Sequence, residues 1–167
     1  MHIRRLSPDH ASAFQALRLA GLLDMPAAFG TNHAEEKDLP LAAFAERLAP
    51  REDAAVFGAF EGEALVGIVG LRRDTAINYF HKGLLWGMYV APAARGQGLA
   101  RQLAQAALEF ARGVPGLAKV NLQVDAANVQ AIALYESLGF VVYSREADGM
   151  RVREQRRDEL QMTLQFA

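Results

Sequence analysis

Residues 88–100 read Met-Tyr-Val-Ala-Pro-Ala-Ala-Arg-Gly-Gln-Gly-Leu-Ala. The apolar start is typical of a strand, and Pro92 ends it because proline has no N–H to give to a sheet. After the glycines, the spacing of Leu99, Leu103 and Phe110 predicts an amphipathic helix. The first N–H groups of a helix have no internal partner and carry partial positive charge. A strand, a glycine turn and a helix start in this order therefore predict a phosphate site.

Two common nucleotide motifs fit this turn poorly. A P-loop needs Lys and Ser or Thr directly after its last glycine, where this chain has Leu99 and Ala100. The dinucleotide fingerprint needs a small third residue, where this chain has Arg101, and it belongs to a first βαβ unit. A turn that serves geometry alone and binds nothing is the remaining alternative.

The composition is that of an ordinary globular chain. Of its 167 residues, 51% are hydrophobic and 22% are charged, so we expect a single domain over residues 1–167. The net charge of −1 gives no indication of a nucleic-acid partner. No apolar run approaches the roughly 20 residues of a membrane span, and the first residues lack a signal segment. We therefore expect a cytoplasmic protein that does not bind a membrane.

Metal binding is not expected from the sequence. The chain has no cysteine, hence no thiolate ligand, no disulfide and no cysteine nucleophile. The histidines are scattered without the spacing that brings two of them to one ion. They are His2, His10, His33 and His81.

Strands and helices alternate only in the middle of the chain, and hairpins flank that part. The patterns predict the order β-α-α-β-β-β-α-β-α-β-β, which favours a mixed sheet with helices on both faces. Strands are predicted over 2–6, 54–60, 65–71, 84–90, 119–124, 140–145 and 160–166. Helices are predicted from Ser7, over 40–48, from Leu99 to Arg112 and over 128–138, with loops over 22–39 and 148–157.

Gly87 interrupts the predicted strand 84–90 and indicates a bulge or a close backbone approach. Regular alternation would place Trp86 and Met88 on one face of that strand and Tyr89 on the other. Core packing is the ordinary role of a tryptophan in a strand. The aromatic side chains expected around a substrate pocket are Phe29, Tyr79, Trp86 and Tyr89.

The glycine turn resembles the acyl-CoA pyrophosphate loop of the GNAT acetyltransferase superfamily, with the pattern Arg95-x-x-Gly98-x-Ala100 after a strand that ends in Val-x-Pro. The second signature of that family is similar to Asn128-x-x-Ala131-x-x-Leu134-Tyr135-x-x-x-Gly139-Phe140. The closing strand of the family resembles Asp158-Glu159-Leu160-x-Met162. The resemblance covers residues 54–166 and is weaker over the N-terminal third.

This resemblance implies an α/β fold of the α+β type. Its mixed, mostly antiparallel sheet would have about seven strands, with a V-shaped splay between the fourth and the fifth. Acetyl-CoA, the implied cosubstrate, would lie in that gap. The residues implied in binding it are Met88, Tyr89, Val90, Arg95, Gly96, Gln97, Gly98, Leu99, Ala100, Asn128, Ala131, Leu134 and Tyr135.

The resemblance also implies the chemistry. The acetyl group would pass directly to a primary amine of a small molecule or peptide in a ternary complex. Tyr135 would protonate the leaving thiolate, since a phenol is a neutral donor whose pKa lies well above 7. The Met88 N–H would polarise the acyl carbonyl. The alternative is an acyl-CoA-binding sensor or interaction module with little turnover.

Three features stay open at the level of sequence. The general base is Glu35, Glu36, His81, Asp125 or a water molecule. Arg95 either adds charge to the pyrophosphate site or only orders the turn. A homodimer is expected, with the polar-faced final strand at a sheet edge.

Overall fold

A computed structural model describes all residues from 1 to 167, and its strands form one seven-stranded sheet. The spatial order is β1-β2-β3-β4-β5-β7-β6, and only β4 and β5 run parallel. This confirms the predicted mixed, mostly antiparallel sheet. The strands are β1 (His2–Arg5), β2 (Ala54–Glu61), β3 (Ala64–Arg73), β4 (Lys82–Val90), β5 (Lys119–Asp125), β6 (Val141–Val152) and β7 (Gln155–Gln165).

Helices cover both faces of the sheet, as predicted. They are α1 (Ala11–Asp24), α2 (His33–Glu36), α3 (Leu41–Arg47), α4 (Leu99–Arg112) and α5 (Val129–Ser137). Short 3-10 turns occupy Pro8–His10, Pro26–Ala28, Ile77–Tyr79 and Pro92–Ala94. The helix predicted from Ser7 therefore begins as a 3-10 turn, and it continues through α1 into the segment predicted as loop. No helix is both long and apolar enough to span a membrane.

The core consists of two clusters, one on each face of the sheet. On one face the apolar side of α4, with Leu103 fully buried, packs against Val69 and Val120. On the other face α1 and α3 bring Phe14 and Phe44 together, and these rings meet edge to face at 6.2 Å. Each such buried side chain contributes about 1.5–3 kcal/mol. The two clusters hold the sheet rigid between its helical layers.

A bulge interrupts β4 at the predicted position. Trp86 pairs with Gly70 and Tyr89 pairs with Ile68, so Gly87 and Met88 together oppose one residue of β3. Gly87 has a φ of +67°, which only glycine adopts easily. The extra residue reverses the alternation beyond it, so Trp86 and Tyr89 both pack on the α1 face. The predicted placement of these two side chains on opposite faces is therefore wrong.

The parallel pairing of β4 with β5 is short. It joins only Lys82, Gly83 and Leu84 to residues 119–121, and beyond Leu84 the two strands have no paired residues. The main-chain groups on that side of β4 are then left without a neighbouring strand. This is the predicted splay between the fourth and fifth strands.

The last two strands form a longer hairpin than predicted. Most of the supposed loop 148–157 is strand, and the hairpin turns at Arg153 and Glu154, whose φ angles are +50° and +66°. Its charged side chains meet each other on the surface, as Arg145 does with Asp158 at 2.7 Å. The many charged residues of this segment indicated a loop, because a solvent-exposed hairpin lacks the apolar alternation by which a strand is identified in sequence.

The two edge strands of the sheet are β1 and β6, and the final strand is not at an edge because β7 lies between β5 and β6. The expected position of the final strand at an edge is therefore wrong. Along β6, the side chains of Val141, Val142 and Tyr143 are exposed. A homodimer stays a prediction, and this edge is where we expect it.

Candidate functional site

A cavity of about 450 Å³ occupies the gap where β4 and β5 separate. One wall comes from α1 and the segment from Met25 to Gly30, and another comes from the start of α4 and from α5. Met150 and Glu159 of the β6–β7 hairpin complete the lining. The cavity therefore joins the C-terminal half of the chain to its N-terminal third.

The glycine turn presents free backbone donors at this cavity. Gly98 caps α4 with a φ of +74°, and α4 begins at Leu99, as predicted. From Gly96 to Arg101, no backbone N–H donates to another group of the protein. A Cβ built on Gly98 would meet nothing closer than the Gln102 Nε2 at 4.0 Å. The turn is thus an open row of N–H groups at the positive end of a helix, which suits an anion.

Arg95 folds back from this turn toward α1. Its Nε donates to the Val90 carbonyl at 3.0 Å, and its Nη2 donates to Asp24 at 2.5 Å. The Tyr89 hydroxyl donates to the same Asp24 oxygen at 3.0 Å. The hydrogen bonds from Arg95 and then from Tyr89 hold the pKa of Asp24 below its usual range. Arg95 therefore orders the turn by tying it to the end of α1.

The second motif forms the opposite wall. The Asn128 Oδ1 accepts from the Ala131 backbone N–H at 3.1 Å and so caps α5. Tyr135 lies one turn further along and is 7% exposed, with its ring edge to face against Phe140 at 5.7 Å. No protein group hydrogen-bonds to its hydroxyl, and burial raises the pKa of Tyr135 to about 12. The phenol is therefore protonated and unpartnered at neutral pH.

With one exception, the residues implied in cofactor binding line this single cavity. The exception is Gln97, which is exposed in the turn and lies outside the lining. Those that line it are Met88, Tyr89, Val90, Arg95, Gly96, Gly98, Leu99, Ala100, Asn128, Ala131, Leu134 and Tyr135. Two motifs that lie far apart in sequence thus meet across one gap.

Comparison with known proteins agrees with this geometry. The model of the Acetyltransferase (GNAT) family matches residues 20–140. The chain belongs to the GNAT family. Spermidine N(1)-acetyltransferase of Vibrio cholerae is 35% identical over 79 residues, which cover 47% of this chain and 46% of that protein. Mycothiol acetyltransferase of Salinispora tropica is 44% identical over 62 residues, 37% of this chain and 20% of that protein. The matches thus span less than half the length of these relatives.

Solved structures show the same GNAT fold over nearly the whole chain. A GNAT-family acetyltransferase from Streptococcus pneumoniae has a TM-score of 0.88 at 22% identity and covers 99% of both chains. The structure of yncA from Salmonella typhimurium with its cofactor acetyl-CoA has a TM-score of 0.84 at 21% identity, covering 100% of this chain and 94% of that one. At such identities the likeness establishes the fold.

Within the GNAT fold, the structure separates the four candidate bases. Glu36 is buried between Arg18 at 2.7 Å and Arg47 at 3.2 Å. Burial alone would raise the pKa of Glu36, but the two guanidinium groups outweigh it and hold that pKa below its ordinary value. A carboxylate held ionised in this way is a weak proton acceptor.

The other three candidates are no better placed. Glu35 bonds to Thr31 and Asn32 at 2.8 Å each, on the surface. His81 is exposed, and neither it nor Glu35 lines the cavity. Asp125 does line the cavity, but its Oδ2 is paired with the Arg157 Nη1 at 2.6 Å.

Glu159 is a carboxylate in the cavity that the sequence did not single out. It lines the cavity, is 7% exposed and has no hydrogen-bond partner. Burial, and then the charges of Glu146 and Asp125 on the two flanking strands, raise the pKa of Glu159. In sequence it lay in a run of mixed charge, and only the register of β7 with β5 shows where it lies.

Three of the four aromatic side chains expected around a substrate pocket line the cavity. They are Phe29, Trp86 and Tyr89. Tyr79 does not, because its ring lies half-exposed over the Lys82 ammonium at 4.7 Å. Its placement in the substrate pocket was wrong.

Proposed function

We propose that this GNAT protein is an N-acetyltransferase that moves an acetyl group from acetyl-CoA to a primary amine by direct attack in a ternary complex. One observation carries the proposal: residues with free N–H groups in the glycine turn, which are Gly96, Gly98, Leu99 and Ala100, line the same cavity as Tyr135 with its unpartnered hydroxyl. The first suits a diphosphate, and the second suits a leaving sulfur. The acetyltransferase relatives support the same reaction class.

The residues present fit acetyl-CoA. Gly96 and Gly98 leave the N–H row uncovered, and no side chain fills the space beside them. The splay frees the edge of β4 beyond Leu84, so main-chain groups near Met88 are available to an extended ligand. When bound, acetyl-CoA supplies the acetyl group as a thioester.

Tyr135 is proposed as the hydrogen-bond donor to the leaving sulfur. Its pKa of about 12 keeps the phenol protonated at neutral pH. A thiol ordinarily has a pKa of about 8.5, so a phenol with a pKa of about 12 does not give its proton to the thiolate. Tyr135 is instead proposed to donate a hydrogen bond that stabilises the charge on the leaving sulfur, and the thiolate takes its proton from solvent after release. The Met88 N–H, next to the bulge, is proposed to stabilise the charge that develops on the acyl oxygen.

Glu159 is proposed as the general base. An amine attacks only after losing a proton, and a base works best when its pKa approaches the operating pH. The raised pKa of Glu159 moves it in that direction. The C–N bond then forms as the C–S bond breaks, with the amine proton passing to Glu159 and the sulfur leaving as a thiolate that accepts a hydrogen bond from Tyr135.

Thermal unfolding tests the donor half of this proposal. Acetyl-CoA at 100 times its Kd is expected to stabilise the protein by about 2.7 kcal/mol. ATP and NAD serve as controls and are expected to give no shift. A shift with either nucleotide and none with acetyl-CoA would contradict the assignment.

Thiol release tests the transfer itself. Release of free CoA from acetyl-CoA in the presence of primary amines is expected, with an acetylated amine as the second product. The acyl-CoA sensor is the competing function. Binding of acetyl-CoA with no thiol release across a broad amine panel would favour the sensor.

A further inference from the structure

Arg18 brings a guanidinium to the cavity from α1. The residue is 6% exposed, and it donates to Glu36 through Nε at 2.7 Å and through Nη2 at 3.0 Å. Its third nitrogen, Nη1, is buried and has no hydrogen-bond partner. Because an unpaired buried donor is costly, this nitrogen is a candidate for binding a ligand.

The space beside that nitrogen is open on one side. A Cβ built on Gly87 would lie 3.1 Å from the Arg18 Nη1 and within 4 Å of no other atom outside residues 86–88. The missing side chain thus leaves a slot next to the bulge of β4. An oxygen atom placed in this slot would be at hydrogen-bond distance from Nη1.

Trp86 supplies a second donor of the same kind. Its indole Nε1 is buried without an acceptor, and Trp86 lines the same cavity as Arg18. The Arg18 guanidinium carbon lies 5.5 Å from the centroid of the Trp86 ring and 5.3 Å from that of Phe29. The indole is held in place over Gly70, where a Cβ would lie 2.1 Å from its Cε2. Both donors are therefore fixed before any ligand arrives.

The charges around the cavity favour an anion at this wall. Glu36 neutralises one of the two guanidinium groups that contact it, so the group of Arg18, Glu36 and Arg47 keeps one positive charge. Arg95 is neutralised by Asp24. On the other side of the cavity, Glu159 is a carboxylate without a partner.

We propose that the Arg18 Nη1 and the Trp86 Nε1 bind a carboxylate of the acceptor, which makes the acceptor an amino acid or a similar amine that also carries a carboxylate. This inference rests on the proposed acetyltransferase function and specifies its substrate class. The ammonium of such a zwitterion suits Glu159, and its carboxylate suits Arg18. A polyamine such as spermidine has no carboxylate to bind to Arg18.

Matched pairs of substrates test the proposal. Each amino acid is compared with the amine that has the same side chain and no carboxylate, such as leucine with isoamylamine, and spermidine is included. We expect kcat/KM to be about 100-fold or more higher for the preferred amino acid than for its partner. Equal or better turnover of spermidine or of the carboxylate-free amines would overturn the proposal and leave the acetyltransferase function intact.

Trp86→Phe separates the second donor from the packing of the ring. The variant keeps an aromatic side chain beside Gly70 and removes the indole N–H together with part of the ring. The KM for the amino acid is expected to rise about 10- to 100-fold, while the KM for the carboxylate-free amine stays the same. An equal rise for both amines would indicate a structural role and contradict the proposal.

A direct binding measurement completes the test. Calorimetry on protein saturated with CoA is expected to detect the amino acid and to lose most of that signal in Arg18→Lys, which keeps the charge but has no Nη1. Undiminished binding in a folded Arg18→Lys protein would overturn the proposal. Absence of any acetyl-CoA binding is a different result, and it would remove the acetyltransferase function together with this inference.

Discussion

The proposed donor half of the cavity and its proposed acceptor half are built in different ways. The donor half consists of the end of β4, the glycine turn and α4, which follow one another in sequence and act through backbone N–H groups. The acceptor half consists of side chains from α1, β4 and β7, such as Arg18, Trp86 and Glu159. Backbone recognition leaves a local motif of small residues, whereas side-chain recognition assembled from distant elements leaves none.

The largest expected effect is on the donor half. Gly98→Glu would place a carboxylate and a side chain where the diphosphate is expected. We expect the affinity for acetyl-CoA to fall by at least about 100-fold, which corresponds to about 2.7 kcal/mol. Equilibrium binding of acetyl-CoA measures this.

The matched control for that substitution is Gly62→Glu. Gly62 also has a positive φ, +58°, and it also has open space around it, but it lies in the β2–β3 turn. The Gly62→Glu variant shares the backbone strain and the added charge, but Gly62 does not line the cavity. This variant is therefore expected to bind acetyl-CoA normally. Equal affinity loss in both variants would show that strain, not the site, is responsible.

Tyr135→Phe tests where the two halves meet. Removal of the hydroxyl is expected to lower kcat by about 100-fold, because the leaving sulfur loses its donor, and to leave acetyl-CoA affinity nearly unchanged. Steady-state kinetics with a binding titration measure both. An unaltered kcat, with chemistry shown to be rate-limiting, would refute the role.

Glu159→Gln tests the proposed base of the acceptor half through the pH dependence of the activity. The base must be ionised, so activity is expected to rise as the pH rises through the pKa of Glu159, which burial, Glu146 and Asp125 raise. In Glu159→Gln, kcat is expected to fall about 10- to 100-fold and this acid limb to disappear. A pH profile of kcat measures both.

Glu146→Gln is the control for that profile. Glu146 lies opposite Glu159 on β6 and its charge helps to raise the pKa of Glu159. Its removal is expected to keep the activity and to move the acid limb to lower pH. A limb that does not move would assign the titration to another group.

Arg95→Ala is expected to have the smallest effect. Its ion pair with Asp24 is partly exposed, so we expect little loss of stability and a few-fold weaker acetyl-CoA binding. Chemical unfolding and a binding titration measure these. A loss as large as that of Gly98→Glu would mean that Arg95 binds the diphosphate directly.

The same division explains what could be read from sequence. The strand, turn and helix of the donor half could be predicted because their structure depends on residues that are adjacent in sequence. The shared face of Trp86 and Tyr89 could not, since one bulge residue reversed the alternation. Glu159 could not either, because its position depends on pairing with β5, which lies more than thirty residues earlier in the chain.

Because of the position of β7, we expect the donor side and the acceptor side of the cavity to form at different stages of folding. β7 enters between β5 and β6, although both precede it in the chain. The β4–turn–α4 unit can form from neighbouring residues, whereas β5 has no partner on that side until β7 arrives. Because non-local pairing is slow, we expect the acceptor side to be completed late in folding. A folding intermediate with α4 formed and β7 undocked would contain the glycine turn and lack Glu159, the proposed base.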